Sequence, residues 1–352
     1  MPFITRTAKL VPGRSTLKTA LGHTLWPMLT RFTAGRAISR NSGLIYTFHY
    51  IGTPVIPGAC EDLFLPVRTF AAVLDFVCRH LTPLAPAEFL QRLENGTLPA
   101  RATMLTFDDC TRDAYTRALP ELAKRNLKAC FFACPGLIDQ RRTIPILELM
   151  DICNRAPRGV YDVTFEERSW RSSRNISFPV SIDDTSSRRR AYYQLAPHLY
   201  NTSSTRHAGL LASLRFQLRV DDSLPHTYPL ATWEDLNELH RAGMWIASHT
   251  MSHSTPHADS PEELAADYKR AFEIMDSRFG APRRIFCYPY GSAADVSEET
   301  AGILAVLKTN TAFVTRGGLA RPHRDGMLNL RREDAAYSVG GTKLSPLLAI
   351  YR

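Results

Sequence analysis

Three short stretches of this chain carry residue types that do chemistry. The apolar run "LTFDDC" ends in two adjacent carboxylates, Asp108 and Asp109; "SHTMSH" holds His249 and His253 four positions apart; "YPYG" brings Pro289, Tyr290 and Gly291 together. Neighbouring residues at a strand end point in different directions, so the two aspartates can hold separate jobs. One turn of helix would bring both imidazoles to the same side, ready to share a metal ion. Two histidines and one carboxylate leave coordination positions open for water and substrate, which a catalytic metal site needs and a structural one avoids. A metal there lowers the pKa of a water toward ~7, and the second carboxylate can take its proton as the water attacks a carbonyl. The backbone N–H of Tyr290 is the candidate donor to the resulting oxyanion, because Pro289 has no N–H and Gly291 permits close approach.

These stretches need elements that deliver them to one place. From Leu44 onward short apolar runs alternate with amphipathic helical patterns, which predicts an α/β fold with parallel strands. Strands are expected over Leu44–Phe48, Arg101–Phe107, Lys128–Ala133, Met244–Ala247, Ile285–Tyr288 and Thr311–Thr315, with a helix over Arg112–Arg125. Thr232 with Asp235, and Ser260 with Glu263, have capping-box spacing before helical runs that end at Gly243 and Gly280. A third such helix is expected to start at Asp295, with Glu298 completing the box. The Asp pair, the His pair and "YPYG" each follow a strand, and in parallel α/β folds the carboxyl ends of the strands face one mouth. The alternation is interrupted over about 139–229, where "SWRSSRNISF" and "SSRRRAYY" stand; this is expected to be a partly helical insertion able to act as a lid, with helices near Arg188–Leu199 and Arg206–Gln217.

The chain has 352 residues and a formal charge of +9, and its composition is that of a soluble globular protein. Its seven cysteines form no C-x-x-C pair and match neither a disulfide framework nor a zinc ribbon, so a reducing compartment is the expectation. No run approaches the ~20 apolar residues of a transmembrane helix, and no secretory signal stands at the start, so the expected location is the cytoplasm. The first sixty residues hold no Asp or Glu. Within a basic arm over residues 1–40, Leu17, Leu21, Leu25, Met28, Leu29 and Phe32 recur at helical spacing: such a helix can lie on an anionic membrane surface or pack on the protein body. Nucleic acid is not an expected partner, since no basic stripe is interleaved with aromatics.

Taken jointly and in this order, "TFDDC", "HTMSH" and "YPYG" resemble the three principal motifs of the polysaccharide deacetylases of carbohydrate esterase family 4, the NodB-homology type. The flanking "YTFHY", "RALPELAKRNLKACFF", "TWEDLNELHRAGMWIASHTMSH" and "FCYPYG" extend the resemblance over roughly Leu44 to Ser338. It implies a distorted (β/α) barrel with a divalent metal, usually zinc, that removes acetyl groups from N-acetylated amino sugars. Carried over by position, Asp108 would be the general base, Asp109, His249 and His253 the metal ligands, and Tyr290 the oxyanion donor.

Three positions depart from the family pattern. Cys110 follows the Asp pair where glycine is usual, so a positive φ there would be strained. Motif three lacks the arginine that orients the base, a charge that Arg332 in "LNLRRED" can supply from the next strand unless it is an exposed tail residue. No late Leu-x-Leu-His element provides the general acid; His49, His257 and His323 remain, and His49 follows a strand end. The expected organisation is thus the arm at 1–40, a catalytic domain at 41–340 and a tail at 341–352. The expected activity is metal-dependent deacetylation of an amino sugar in a polysaccharide precursor, oligosaccharide or lipid-linked intermediate. The alternatives are deformylation of a lipid-linked amino sugar, or a catalytically silent carbohydrate-binding protein of the same fold.

Overall fold

The computed structural model describes residues 41–335 except positions 222, 281 and 282, so the basic arm and the tail at 341–352 lie outside the described residues. Apart from a short parallel pair, Tyr50–Ile51 with Phe64–Leu65, the strands among the described residues are β1 (Leu44–Phe48), β2 (Thr82–Pro83), β3 (Ala102–Phe107), β4 (Ala129–Ala133), β5 (Gly159–Arg168), β6 (Ser173–Ile182), β7 (Trp245–Ser248), β8 (Ile285–Cys287), β9 (Thr311–Phe313) and β10 (Glu333–Asp334). One parallel sheet runs β9-β8-β7-β4-β3-β1-β10, with β2 added beside β3. Its strands β1, β3, β4, β8 and β9 are buried from end to end, as strands covered on both faces must be.

The sheet is curled, and the segment before β10 closes the curl. Glu333 pairs with Tyr46 of β1, while Leu330 bridges in parallel to Phe313 of β9, so residues 330–334 touch both ends of the sheet. Alternate strand residues Ile45, Met104, Cys130, Phe132, Ala247, Ile285, Cys287 and Phe313 pack with Leu330 into one apolar cluster, joined by Phe89, Leu90 and Leu93 of the helix Pro86–Glu94. The residues between them, among them Tyr46, Phe48, Leu105, Phe107, Phe131 and Ile246, pack on the other face under helices. This is the expected barrel of the deacetylase type, with the strands' carboxyl ends gathered at one mouth.

The capping boxes at Thr232 and Ser260 form as expected, on helices Trp233–Arg241 and Pro261–Phe279. Two expectations are corrected. The helix after the Asp pair is not continuous: a π-helical turn at Ala114–Ala118 precedes a short α-helix at Leu119–Ala123, because Pro120 cannot donate to the preceding turn and forces it wide. The helix expected from Asp295 begins at Glu298, with Ser297 as its cap and Thr300 completing the box. Asp295 instead accepts from the N–H and hydroxyl of Ser292 and from the hydroxyl of Tyr200.

Helices Thr185–Tyr200 and His207–Gln217 form in the region read as an insertion, but so does a long antiparallel hairpin, β5 with β6. Its tip, Ser169–Ser172, is the stretch "SWRS". Buried Asp259 fastens this region to the loop carrying the His pair. One oxygen accepts from Ser203 Oγ at 2.8 Å, Ser204 N at 2.8 Å and Ser204 Oγ at 2.9 Å; the other accepts from Thr255 N at 2.9 Å. Such fastening is unlike a lid hung on free hinges. Among the described residues no helix is long and apolar enough to cross a membrane. Asp259→Ala, which strips these donors of a charged acceptor, should lower stability by about 2–3 kcal/mol, read as a lower urea midpoint at unchanged slope. An unchanged midpoint would show that the clamp contributes nothing.

Candidate active site

Inward alternation along β3 decides where the Asp pair goes. Phe107 stacks outward on Phe48 and Phe131, with centroids 4.9 and 4.5 Å apart, so Asp108 turns inward at the barrel mouth. There Arg332, with 0% of its surface exposed, meets it in a bidentate pair: Nη1 donates to Oδ1 at 2.7 Å and Nη2 to Oδ2 at 2.6 Å. Arg332 is therefore not an exposed tail residue. Its remaining N–H groups are also used, Nε on the Val314 carbonyl at 3.1 Å, Nη1 on Thr106 Oγ1 at 3.0 Å and Nη2 on Cys287 Sγ at 3.1 Å. Burial alone would push the Asp108 carboxyl up, but the charge and hydrogen bonds of Arg332, with His249 and His49 nearby, outweigh it and hold the group below the usual carboxylate range.

Asp109 leaves the strand through two consecutive residues in left-handed conformation, Asp109 at φ 64° and Cys110 at φ 52°. Cys110 thus holds the strained backbone that glycine would adopt freely, a cost of roughly 1–2 kcal/mol. The turn swings the Asp109 carboxylate toward the histidines, with Oδ1 at 3.3 Å from His249 Nε2 and 3.4 Å from His253 Nε2. The His pair is not on a helical turn as the spacing suggested. Its loop has positive φ at Thr250 and His253, and Asp267 holds it by accepting from Met251 N at 2.7 Å and Ser252 Oγ at 2.8 Å.

These three residues fit a metal ion by their donor atoms. Donors ~2.1 Å from a common centre at a tetrahedral angle stand ~3.4 Å apart; Asp109 Oδ1 keeps that spacing to both Nε2 atoms, and the three residues offer ligand atoms within 4.8 Å of one another. Asp109 Oδ1 is buried without a hydrogen-bond partner, a state that costs free energy unless a cation faces it. The Nδ1–H of His249 donates to the Cys287 carbonyl at 2.9 Å, so its lone pair lies on Nε2, toward Asp109. Burial would raise the Asp109 carboxyl too, yet the two imidazoles that face it hold it well below the usual range. Sequence reasoning missed Tyr50, whose buried hydroxyl donates to Asp109 Oδ2 and so turns Oδ1 to the histidines. Only its place two residues beyond β1, beside His49, hinted at it.

Tyr290 stands at the rim with φ 57°, its ring edge-on to His253 at 4.9 Å. Gly291 is required beside it: a Cβ there would lie 2.6 Å from the backbone nitrogen of Thr315. Of the three histidines considered as acid, His49 is the one at the mouth, with Nε2 3.7 Å from Asp108 Oδ2 and Nδ1 3.6 Å from Asp334 Oδ2. His257 is exposed and donates to Asn201, and His323 lies on a short helix at Pro322–Asp325. The structure thus brings Asp108, Asp109, His249, His253, Tyr290, Arg332 and His49 into one mouth, as an arrangement for adding water to a carbonyl requires.

The profile of the polysaccharide deacetylase family matches residues 95–169 and 200–308, more than half of the chain. A search of curated proteins finds no significant match. Among solved structures, the Streptococcus pyogenes deacetylase PplD, solved with acetate, is 19% identical with a TM-score of 0.52, over 83% of this chain and 92% of that one. IcaB from Ammonifex degensii is 17% identical with a TM-score of 0.50, over 84% of this chain and 92% of that one. At such identities the likeness speaks for the fold.

Arg332→Met leaves Asp108 buried without its counter-charge and should cost about 3–5 kcal/mol in chemical denaturation. Adding Asp108→Asn should recover much of that loss, whereas strictly additive losses would mean the two do not interact. The sign with pH follows from a folded pKa that is lowered. The share of stability due to Asp108 is full above its unfolded value of ~3.9 and fades as pH falls through the lower folded one. In Arg332→Met, where burial of the unpaired carboxyl pushes its pKa up instead, the sign should reverse, and acidification should recover part of the lost stability.

Proposed function

This chain belongs to the polysaccharide deacetylase family, and from that premise we propose that it is a metal-dependent amide hydrolase that removes N-acetyl groups from an amino sugar. The observation that carries the reading is the convergence of Asp109 Oδ1 with the Nε2 atoms of His249 and His253, beside an Asp108 gripped by Arg332. When bound by Asp109, His249 and His253, a divalent ion, zinc in this reading, supplies Lewis-acid polarisation of the amide carbonyl and acidifies water. Asp108 takes the proton from the attacking water. Arg332 keeps it ionised and aimed, which makes it ready at neutral pH and a weaker base than a free carboxylate. The Tyr290 N–H donates to the oxyanion, and the left-handed backbone there directs it. His49 returns a proton to the departing amine, since collapse of the tetrahedral species must leave a neutral amine behind.

The two aspartates then differ in kind, and variants separate them. Asp109→Asn should lose bound metal and regain part of its activity at high metal concentration, because a charged ligand has been weakened. Asp108→Asn should keep its metal and lower kcat by ~10²–10⁴, with no rescue by added metal. Metal content of the purified variants and acetate release from a panel of N-acetylated sugars are the measurements. Release of formate alone would replace the acetyl substrate by a formyl one. A metal-loaded protein inert on the whole panel, or full metal in a His249→Ala/His253→Ala double variant, would sink the reading.

A further inference from the structure

The two oxygens of Asp109 have different neighbours. Oδ1 faces the Nε2 atoms of His249 and His253 and accepts no hydrogen bond, whereas Oδ2 accepts the buried hydroxyl of Tyr50. A carboxylate whose second oxygen is engaged by a donor presents the first alone to a cation. Its orientation is therefore set by a residue outside the ligand set.

Tyr50 is itself held firmly. It is 2% exposed, its ring centroid lies 4.9 Å from that of Phe64 and 6.4 Å from that of Tyr228, and its backbone pairs with Phe64 in the short parallel ladder. The next residue, Ile51, is clamped at both backbone groups: its N–H donates to Asp113 Oδ2 at 2.5 Å and its carbonyl accepts from Arg117 Nη1 at 2.7 Å. The Gly52 N–H beyond it donates to the Leu65 carbonyl at 2.9 Å. Asp113 and Arg117 belong to the segment that follows Asp109, so the contacts close a ring: Asp109 to Tyr50, along the chain to Ile51, and back to the segment of Asp109. A hydroxyl anchored in this way does not swing aside to release Oδ2.

Cations respond differently to such a carboxylate. Zinc is satisfied by few donors, imidazoles and single carboxylate oxygens among them. Calcium gathers a larger shell of oxygens and often takes both from one carboxylate, and manganese suits an octahedral oxygen shell. An oxygen already bonded to a phenol is lost to shells of that kind.

We propose that Tyr50 is a positioning residue for the metal centre: its hydroxyl confines Asp109 to ligation through Oδ1 and so turns the site toward small cations of low coordination number and away from those that need a larger oxygen shell. The inference rests on the metal-dependent reading, and its test reads the ion directly. Zinc and manganese affinities of the full chain, measured by competition with a chromophoric chelator, are compared with those of Tyr50→Phe, which keeps the ring beside Phe64 and Tyr228 and removes only the oxygen. Zinc affinity should fall by about 10–100-fold, as loss of the partner behind a ligand does. Manganese affinity should fall less, so that the preference for zinc narrows by about tenfold. The visible absorption of the cobalt-loaded protein, intense for a tetrahedral ion and weaker as the shell grows, should weaken in the variant. If Tyr50→Phe does not fold, Arg117→Met loosens the clamp on Ile51 instead and should narrow the preference in the same direction. Affinities unchanged for both ions, or lowered by the same factor, overturn the role of Tyr50. A zinc preference that depends on Tyr50 in a protein releasing no acetate would leave that role standing and reject the hydrolase; acetate release with a preference indifferent to Tyr50 would do the reverse. A chain that binds neither ion overturns both.

Discussion

The interaction on which the rest depends is the buried pair of Asp108 and Arg332. Neither charge reaches water, and taking two such ions out of solvent costs several kcal/mol each unless geometry and further hydrogen bonds offset it. Here both conditions are met, since the fork is bidentate and the other guanidinium N–H groups find a carbonyl, a hydroxyl and a sulfur. The pair can form only if residues 330–334 lie between the first and last strands of the curl, so closing the sheet and completing the site are one event. Cys287 takes part as well, its sulfur accepting from Arg332 Nη2 at 3.1 Å.

Around this fixed point the backbone bears the strain. Asp109, Cys110, Thr250, His253 and Tyr290 all have positive φ, and all lie at the mouth. Each such residue costs free energy, and the concentration of them here has a geometric reason. Strands deliver side chains at fixed alternation, whereas a three-donor site asks them to converge, so the chain must turn abruptly after each strand. The turns are held from behind by Tyr50 on Asp109, Asp267 on the His loop and Thr315 on Tyr290.

This division explains what could be read in the sequence. Barrel strands are runs of apolar residues with caps and glycines between them, and the motifs at their ends are local, so the strand-end placement of Asp108, His249 and Tyr290 was legible. The left-handed turns were not, because only a departure such as Cys110 in a glycine's place marks them. Arg332 was legible only as a charge in want of a partner, since the partner is 224 residues away. The β5–β6 hairpin went unread although Tyr161, Val163 and Phe165 alternate inward along β5. Its second strand is mostly exposed and carries Ser173, Arg174, Asn175, Ser177 and Ser181, so composition hid the period of two. Tyr50 acts on the site through its bond to Asp109 and Asp267 through its bonds to Met251 and Ser252, roles that residue type alone does not announce.

The long reach of Arg332 has a consequence for synthesis. At about 5–20 residues per second, a ribosome adds the 224 residues between Asp108 and Arg332 in roughly 10–45 s. During that interval β3 exists with a carboxylate destined for burial and no cation to receive it, so the nascent chain has reason to keep that strand end hydrated and the sheet open. Folding of the catalytic half is in this sense gated by translation of its last strand, and any hydrolytic competence arrives at once, late, when the arginine leaves the exit tunnel.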